Sequence, residues 1–459
     1  MVTGIKKYPM TYAGVRQTYP HVVPGRPFFS RSAIAGNIIF LNSFDGRTME
    51  TGNVISDRFE DQLWTCLDNI RLALEETGSS LENLVKNFVL LRHFEDAPVM
   101  WKTMRAYYQK YAPGLVAEPP AITVTEVNAL EEPACLVEID AIGVVSRDAP
   151  GWEMRRMPMV HGGGTQTHPH VGPGGAFLSE SVSVGNLVFI SAMNGEDSES
   201  GSIETNVFEE QWHIGWDKVR KALDNRGSSV SNVIKTLHFQ TRLDTILATG
   251  KDAQRSYSPA SDRLWKAELE YYEKYAPFLL EDFPASSFLK VPPLADPGYL
   301  GQVDVIGVLS RFMPGWEVRK YPLYLGQRGF PRHIGEIKKY YANAVKVGNL
   351  VFLSGQTATD PQTARIETDI FQEQAAITLD HVRASLEETG TALENIVKTH
   401  VFLPNPEDRT MFRKMELEYY QKYAPSLVEE PPGATVIHPL NLASPKLLIE
   451  MEAIAFVPD

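Results

Sequence analysis

The sequence predicts an α+β fold made of three tandem copies of one module, each with the element order β-β-α-β-α-β-β. The first observation is a Gly-Asn turn followed by a short apolar run, a pattern typical of a turn leading into a buried strand. It occurs three times, as AGNIIFLNSF, VGNLVFISAM and VGNLVFLSGQ, beginning at residues 35, 184 and 347. The second is that a helical pattern and the motif YYxKYAP recur behind each copy. The third is the length, because 459 residues suit about three domains of roughly 150 residues each.

Two copies of the sequence Pro-Gly-Trp-Glu mark the predicted module boundaries. They lie at residues 150–153 and 314–317, and Pro-Gly interrupts regular structure. The predicted domains are residues 1–148, 149–312 and 313–459, named modules 1, 2 and 3 below. Module 2 also carries a polar insert near residues 243–262, which we interpret as a surface loop or, alternatively, as a lid over a site.

Local patterns predict the elements of each module in order. Apolar residues at i, i+3 and i+4 predict a first helix at 59–77, 208–226 and 371–389, each followed by a glycine suited to a helix C-cap. A strand, a second helix ending in YYxKYAP and two further strands come next. The module is therefore expected to pack two helices on one sheet.

The composition predicts a soluble cytoplasmic protein. The net charge of -13 disfavours a nucleic-acid backbone as the main partner. No apolar run approaches the roughly 20 residues of a membrane span, and the N-terminus shows no signal-peptide pattern. Cys66 and Cys135 are too few for a disulfide framework, so we expect a reducing compartment and a core position for both.

An ordered set of short motifs in module 3 recurs in part in the other two modules. The motifs are Gly348-Asn349, Ser354-Gly355-Gln356, Gln374, Gly390, Val397-Lys398, Tyr423, Pro432 and the strand IEMEAIA at 449–455. Their order and spacing resemble the Rid family, the reactive-intermediate deaminases also called YjgF or UK114. The resemblance extends over nearly the whole chain. It implies a chorismate-mutase-like fold for each module and no cofactor.

Members of the Rid family are homotrimers with an active site in each cleft between neighbouring subunits. The resemblance therefore implies that the three modules form an intramolecular pseudo-trimer, either monomeric or assembled into a higher homo-oligomer. A covalent trimer does not depend on concentration for its assembly. Its three clefts can also diverge from one another.

The substrate-binding arginine of the family is absent from all three modules. In deaminating members this arginine follows Pro-Ala on a strand and grips the carboxylate of a 2-imino acid through two hydrogen bonds. The matching residues here are Ile122, Ser286 and Ala434. An ordinary 2-imino acid is therefore not the expected substrate. Lys290 and His438 lie four residues further on, on the same strand face, and could replace the lost charge or serve only as edge residues.

The water-activating glutamate of the family is present in two modules. It matches Glu138 and Glu450, whereas module 2 has Gln302, and an amide cannot take a proton from water. The alternative is that both glutamates are ordinary strand carboxylates. The aromatic ring that lines the family's cleft matches Phe29, Leu178 and Tyr341 in modules 1, 2 and 3.

One histidine recurs at the same aligned position of every module, 16 residues before the Gly-Asn asparagine: His21, His170 and His333. One interpretation places each at the mouth of a cleft as an acid, base or hydrogen-bond donor. A second has the three converge on a divalent metal, but the chain offers no HExxH spacing to support a metal site. A third has each fix a loop through a backbone carbonyl. The sequence leaves these alternatives open, and we assign no metal.

Two other repeated sets receive structural interpretations. Gln62, Gln211 and Gln374 are expected to bond loop backbone, and Lys86, Lys235 and Lys398 to be solvated or salt-bridged.

The sequence thus predicts a Rid-type hydrolase that adds water to a C–N bond of a small catabolic metabolite, such as an imine, an enamine or a related amide. The sites would lie in clefts between modules. One alternative is a pseudo-trimer that binds a small molecule without catalysis. A second is an endoribonuclease, which the acidic composition disfavours.

Overall fold

The computed structural model of the chain describes residues 4–12, 15–16, 29–161, 164–165, 178–198, 200–241, 259–292, 298–322, 341–361 and 365–458. The three repeated histidines and most of the predicted insert in module 2 lie outside these described residues.

The elements are numbered along the chain and fall into three series. Module 1 contains β1 (Ile5–Pro9), β2 (Thr11–Tyr12), β3 (Val15–Arg16), β4 (Ser30–Ala35), β5 (Ile38–Leu41), β6 (Phe44–Asp45), α1 (Phe59–Glu76), β7 (Leu84–Leu91), α2 (Ala97–Tyr111), α3 (Gly114–Ala117), β8 (Ala121–Glu126) and β9 (Val137–Val144). Module 2 contains β10 (Met154–Pro158), β11 (Val160–His161), β12 (Gly164–Thr165), β13 (Ser179–Val184), β14 (Leu187–Asn194), α4 (Phe208–Asp224), β15 (Val233–Gln240), α5 (Pro259–Tyr275), β16 (Ala285–Lys290) and β17 (Gly301–Val308). Module 3 contains β18 (Val318–Pro322), β19 (Ala342–Val347), β20 (Leu350–Leu353), β21 (Gln356–Thr357), α6 (Phe371–Glu388), β22 (Ile396–Phe402), α7 (Asp408–Tyr423), β23 (Gly433–Ile437) and β24 (Glu450–Phe456).

The predicted helices and turns are present in each series. The first helices α1, α4 and α6 start at the predicted phenylalanines and end one or two residues earlier than predicted. The glycine after each has a positive φ, for example 82° at Gly78, which a residue with a Cβ rarely adopts. The Gly-Asn pairs form the turns that join β4 to β5, β13 to β14 and β19 to β20.

The leader of each module is a strand that the predicted element order lacks. β1 pairs antiparallel with β4, β10 with β13 and β18 with β19. The leader residues show no strong alternation of their own, and their strand conformation comes from hydrogen bonding to an available strand edge. That partner is distant in sequence, so the local pattern does not reveal it.

Twenty of the described strands form a single sheet to which all three modules contribute. Among the described residues, strands of neighbouring modules lie side by side at three places: β8 beside β13, β16 beside β19, and β23 beside β4. They run from module 1 to module 2, from module 2 to module 3, and from module 3 back to module 1.

The helices cover one face of the sheet, and side chains from all three modules cover part of the other. Leu67 and Ile70 of α1 are fully buried against the first face, with Cys66 beside them. Phe40, Phe189 and Phe352 occupy equivalent strand positions and belong to one apolar cluster shared by the modules. Fully burying such a side chain stabilises a fold by about 1.5–3 kcal/mol. Cys135 is also buried, so the expected core position of both cysteines is confirmed.

Three equivalent glutamines hold the start of each first helix to a loop, as predicted. Gln62 Nε2 donates to the carbonyls of Ser56 and Ala134, at 2.9 and 3.0 Å. Gln211 and Gln374 make the equivalent pairs of bonds. None of the helices in the described part of the chain has the length and apolar character that crossing a membrane requires.

Candidate functional site

The three strand contacts between modules are built on equivalent hydrogen bonds donated by backbone N–H groups. We call them seam 1/2, seam 2/3 and seam 3/1, after the modules they join. In seam 2/3, Ala342 N donates to Pro284 O at 2.8 Å, and Ser286 N donates to Ser354 Oγ at 2.8 Å. The equivalent donors in the other seams are Ser179 and Ile122, and Ser30 and Ala434. Each seam thus brings the arginine position of one module to the start of the next.

Seam 2/3 encloses a cavity of about 30 Å³. Ser286 from module 2 and Tyr341 and Glu450 from module 3 all line it. These residues occupy the family positions of the arginine, the ring and the glutamate. The structure therefore brings together three of the predicted site residues, and each carries a polar group.

The Glu450 carboxyl is almost completely buried in the cavity wall. Burial and repulsion by Glu452 raise the pKa of Glu450 to about 8, although Lys235 and the backbone N–H of Phe288 favour the charged form. Gly355 lies directly beneath the carboxyl, and a Cβ there would overlap it. A protonated carboxyl at neutral pH can donate a proton to a bound molecule.

A larger cavity of about 260 Å³ adjoins the first one. Tyr341, Gly355, Thr357 and Thr359 line both, so the small cavity opens towards the large one. The other described lining residues of the large cavity are Pro322, Asn343, Gln356, Pro361, His381, Ala384, Ser385 and Glu388. Neither lysine nor arginine occurs among the described lining residues of either cavity.

Seam 3/1 groups Ala434, Phe29 and Glu138. Burial, together with Asp45 and Glu131, raises the pKa of Glu138 to about 8, and Oε2 of this carboxylate is buried without a hydrogen-bond partner. Ala434 packs in the same apolar cluster as Phe29. The glutamate here resembles Glu450 in its electrostatics but has apolar companions.

Seam 1/2 groups Ile122, Leu178 and Gln302. Ile122 and Leu178 pack in one apolar cluster with Val124. Gln302 Nε2 donates to Val124 O at 2.9 Å and so bridges the two modules. This seam has a hydrogen-bonded amide and aliphatic side chains where seam 2/3 has ionisable and hydroxyl groups.

Comparison with known proteins decides the family. The family model described as endoribonuclease L-PSP matches residues 24–145 and 332–457, together more than half of the chain. The chain belongs to this family. The two matched segments fall in modules 1 and 3, which are the modules that keep the glutamate.

Relatives of the endoribonuclease L-PSP family match single modules. A RutC family protein of Pyrococcus abyssi is 38% identical over 127 residues, 28% of this chain and 90% of that protein. A 2-iminobutanoate/2-iminopropanoate deaminase of Dermatophagoides farinae is 29% identical over 86 residues, 19% of this chain and 67% of that protein. The resemblance to the Rid family is confirmed.

A solved chorismatase structure aligns with most of the chain. The TM-score is 0.51 at 10% identity, over 82% of this chain and 93% of that one. At this identity the likeness shows the fold alone, a mixed α/β arrangement around a curled sheet.

Two candidate replacements for the family arginine lie outside the cavities. Lys290 ends β16, where its backbone pairs with Asn441 of module 3. His438 is fully buried, and its Nδ1 lies 2.8 Å from the carbonyl of Leu403. Burial lowers the pKa of His438, so the imidazole is neutral at neutral pH. Neither residue lines the cavities of seam 2/3.

Three buried ion pairs lie at the centre of the fold and decide between the two alternatives expected for the repeated lysines, solvated or salt-bridged. Their acidic partners were not predicted. The repeated lysines are salt-bridged rather than solvated, each to a carboxylate of the next module. The pairs are Lys86 with Asp304 at 2.6 Å, Lys235 with Glu452 at 2.5 Å, and Lys398 with Asp140 at 2.7 Å. The repeat offered a signal, because the three acids lie two residues after the glutamate position of each module.

His400 connects two of these pairs. Its Nε2 lies 2.8 Å from Asp140 and its Nδ1 lies 2.8 Å from Glu452. Burial alone would lower the pKa of His400, but the two carboxylates raise it. The imidazole, two of the ion pairs and Asp140 of the third line a central cavity of about 80 Å³ with mainly apolar walls.

Proposed function

We propose that the protein is a hydrolase that adds water to a C–N bond of a small neutral metabolite in the cleft of seam 2/3. In this proposal the three modules act as an intramolecular pseudo-trimer with one elaborated cleft. The observation that carries it is the Glu450 carboxyl, buried in a cavity wall beside Ser286 and Tyr341 with a pKa of about 8. A proton-transfer group is most effective when its pKa lies near the working pH.

Glu450 would act first as an acid and then as a base. The protonated carboxyl donates to the substrate nitrogen and so makes the adjacent carbon more electrophilic. The resulting carboxylate then takes a proton from the water that bonds to this carbon. The C–N bond breaks as Glu450 returns the proton to the nitrogen, which leaves as ammonia or an amine, and the carbon keeps the oxygen as a carbonyl or carboxyl group. Glu138 has a similar pKa of about 8, but the ring and arginine positions of its seam are Phe29 and Ala434, which carry no polar side-chain group, and this is why we favour seam 2/3.

The described lining favours a neutral substrate. A 2-imino acid carries a carboxylate, and the family grips it with an arginine that Ser286 replaces here. Serine can donate one hydrogen bond but cannot form the two charge-assisted bonds of an arginine. The amide and hydroxyl groups of Asn343, Gln356 and Ser385 suit polar, uncharged groups instead.

Ammonia release from two matched primary amides and one imino acid tests the proposal. The substrates are succinamide, which is neutral, succinamate, which is anionic, and 2-iminobutanoate, with an enzyme-free blank. We expect succinamide to be preferred to both anions, and Glu450→Gln to lower its turnover by at least about 100-fold, the scale of general acid–base catalysis. Equal turnover by the variant, or no ammonia from succinamide, would contradict the proposal.

Endoribonuclease activity, which the family description names, is the second candidate. The net charge of -13 weakens attraction to a phosphate backbone. Salt-sensitive cleavage of single-stranded RNA that Glu450→Gln abolishes would favour it over amide hydrolysis.

A further inference from the structure

Module 2 has a hydroxyl, an imidazole and a carboxyl side chain at three positions where module 1 has only apolar side chains. They are Ser286 on β16, His238 on β15 and Glu268 on α5. The residues of module 1 at the same positions are Ile122, Val89 and Met104, and those of module 3 are Ala434, Val401 and Glu416. Serine and histidine therefore occur together only in module 2.

The three side chains of module 2 form a continuous chain of contacts. Ser286 Oγ lies 3.3 Å from His238 Nδ1, and His238 Nε2 lies 3.0 Å from Glu268 Oε2, off the ideal hydrogen-bond direction. All three side chains are buried, and His238 is fully enclosed. Contacts between a nucleophile, its base and the group that orients the base are often long or poorly aligned without substrate and tighten when it binds.

The surroundings of Glu268 determine where the protons lie. Its carboxylate accepts hydrogen bonds from Trp216 Nε1 at 3.2 Å and from the Tyr272 hydroxyl at 2.9 Å. A carboxylate held as an acceptor favours a proton on the nearer imidazole nitrogen, Nε2 of His238. Nδ1 is then the basic nitrogen, and it faces Ser286.

The hydrogen bonds of Ser286 are consistent with this arrangement. Thr236 Oγ1 donates to Ser286 Oγ at 3.0 Å, which leaves the serine's own proton for His238. The edges of Trp212 and Trp265 enclose the imidazole, with ring centroids 5.5 and 5.1 Å away. Ser286 itself also lines the small cavity that Glu450 lines.

We propose that Ser286 is a nucleophile, that His238 is its general base, and that Glu268 positions the imidazole. The substrate class is then a neutral carboxamide or imide, attacked through an acyl-enzyme intermediate. This inference rests on the proposed function in one respect, since it places the reaction in the same cavity of seam 2/3. It differs in assigning the first attack to the serine rather than to water.

The reaction proceeds in two balanced halves. Ser286 Oγ bonds to the carbonyl carbon while its proton passes to His238 Nδ1. The C–N bond breaks, and the nitrogen takes that proton and leaves as an amine or ammonia from a carboxamide, or as an amide from an imide. Water then attacks the ester of Ser286 and gives its proton to His238. The ester C–O bond breaks, the proton returns to Ser286 Oγ, and a carboxylic acid is released.

Glu450 and the larger cavity complete the site. The protonated Glu450 carboxyl can donate a hydrogen bond to the carbonyl oxygen as negative charge develops on it. The small cavity, at about 30 Å³, holds little more than the reacting group. The rest of the substrate would occupy the larger cavity, where Asn343 and Gln356 offer uncharged hydrogen-bonding groups.

A fluorophosphonate probe tests the nucleophile directly in the full-length protein, because it labels activated serines without needing the natural substrate. We expect one phosphonyl group on Ser286, located by peptide mass spectrometry. Ser286→Ala, which introduces the residue of module 3, should remove it. His238→Val, which introduces the residue of modules 1 and 3, should slow labelling by at least about 100-fold, the scale of general-base catalysis. Ser43, whose hydroxyl donates to Ala434 O at 3.5 Å across seam 3/1, supplies the matched control, and Ser43→Ala should label normally.

Glu268→Gln examines the positioning role. It should lower the maximal labelling rate without changing the probe concentration that gives half the maximal rate. A purely structural role would alter both the maximal rate and this probe concentration, or neither of them. If His238→Val does not fold, as judged by its thermal transition, His238→Gln serves in its place.

The outcomes separate this inference from the proposed function. Glu450→Gln should lose hydrolysis and should be labelled at Ser286 more slowly than the wild-type protein, because the Glu450 carboxyl donates to the oxygen on which negative charge develops. No labelling of Ser286 in the wild-type protein, or unchanged labelling in a folded His238 variant, would overturn the nucleophile while leaving Glu450-dependent ammonia release intact. Labelling that depends on His238 in a protein that releases no ammonia would support the nucleophile and contradict the proposed function.

Discussion

Seam 2/3 and seam 1/2 share the same backbone hydrogen bond but differ in side-chain chemistry. In both, a backbone N–H of one module donates to a proline carbonyl of the preceding module, at 2.8 and 2.9 Å. Seam 2/3 surrounds a cavity with Ser286, Tyr341 and Glu450, whereas the equivalent residues of seam 1/2 pack together or bridge the modules. Separate residues therefore control the assembly of a seam and the chemistry inside it.

The central ion pairs explain how the clefts can diverge without loss of assembly. A lysine of each module pairs with a carboxylate of the next in all three seams, whatever the cleft beside it contains. Removing one partner of such a buried pair costs about 3–5 kcal/mol, because the remaining charge is left uncompensated. These pairs therefore fix the register of the modules while the clefts change.

The largest expected effect comes from Gly355→Ala. The equivalent residue in seam 1/2 is already an alanine, Ala192. A Cβ at position 355 would overlap the Glu450 carboxyl and displace it. We expect turnover of succinamide to fall by at least about 100-fold, as for loss of a general acid. Ala192→Gly in seam 1/2 is the control and should leave turnover unchanged. Full activity in Gly355→Ala would contradict the assigned position of Glu450.

The reverse exchange, Gln302→Glu, gives seam 1/2 the family glutamate. The carboxylate cannot donate to Val124 O, so the buried carbonyl loses its partner and the protein loses about 1–3 kcal/mol of unfolding free energy. The loss should grow as pH rises, because only a protonated carboxyl can donate. Urea denaturation at two pH values measures it. A gain of hydrolysis by this variant would show that the aliphatic companions do not matter.

Helices, caps and the repeat were predictable from sequence, because each depends on residues close together in the chain. The C-cap at Gly78 and the apolar face of α1 are examples. The leader strands, the pairing of Lys86 with Asp304, and the contact between His238 and Ser286 depend on partners 21 to 218 residues away. Aligned positions indicated which residues were equivalent, but only the fold shows which module supplies each partner.

Tyr341→Leu introduces leucine, which seam 1/2 has at the equivalent position as Leu178, and should have a moderate effect on KM. The Tyr341 ring stacks on Trp265 with centroids 5.9 Å apart. Such a pair contributes about 0.5–1.5 kcal/mol, so we expect KM for succinamide to rise about 2- to 10-fold. Tyr341→Phe keeps the stacked ring and should change KM less. Equal effects of the two substitutions would point to the hydroxyl rather than the ring.

The pH dependence of stability reports the ionisation of Glu450 itself. The folded protein holds the Glu450 proton more tightly than the unfolded chain, because the pKa rises from its ordinary value of 4.5 to about 8. Stability contributed by this group is therefore present at low pH and declines as pH rises from 4.5 to about 8. Glu450→Gln should flatten that decline in thermal unfolding. An unchanged slope would mean that the Glu450 pKa is not raised.

The most direct measurement compares turnover of succinamide by Glu450→Gln and Glu138→Gln across pH. Wild-type turnover should fall as pH rises through about 8, because the acid form of Glu450 is lost. Glu450→Gln should lose at least about 100-fold and show no such decline, while Glu138→Gln keeps most of the activity and the same pH profile. If Glu138→Gln loses the activity and Glu450→Gln retains it, the reaction does not take place in seam 2/3.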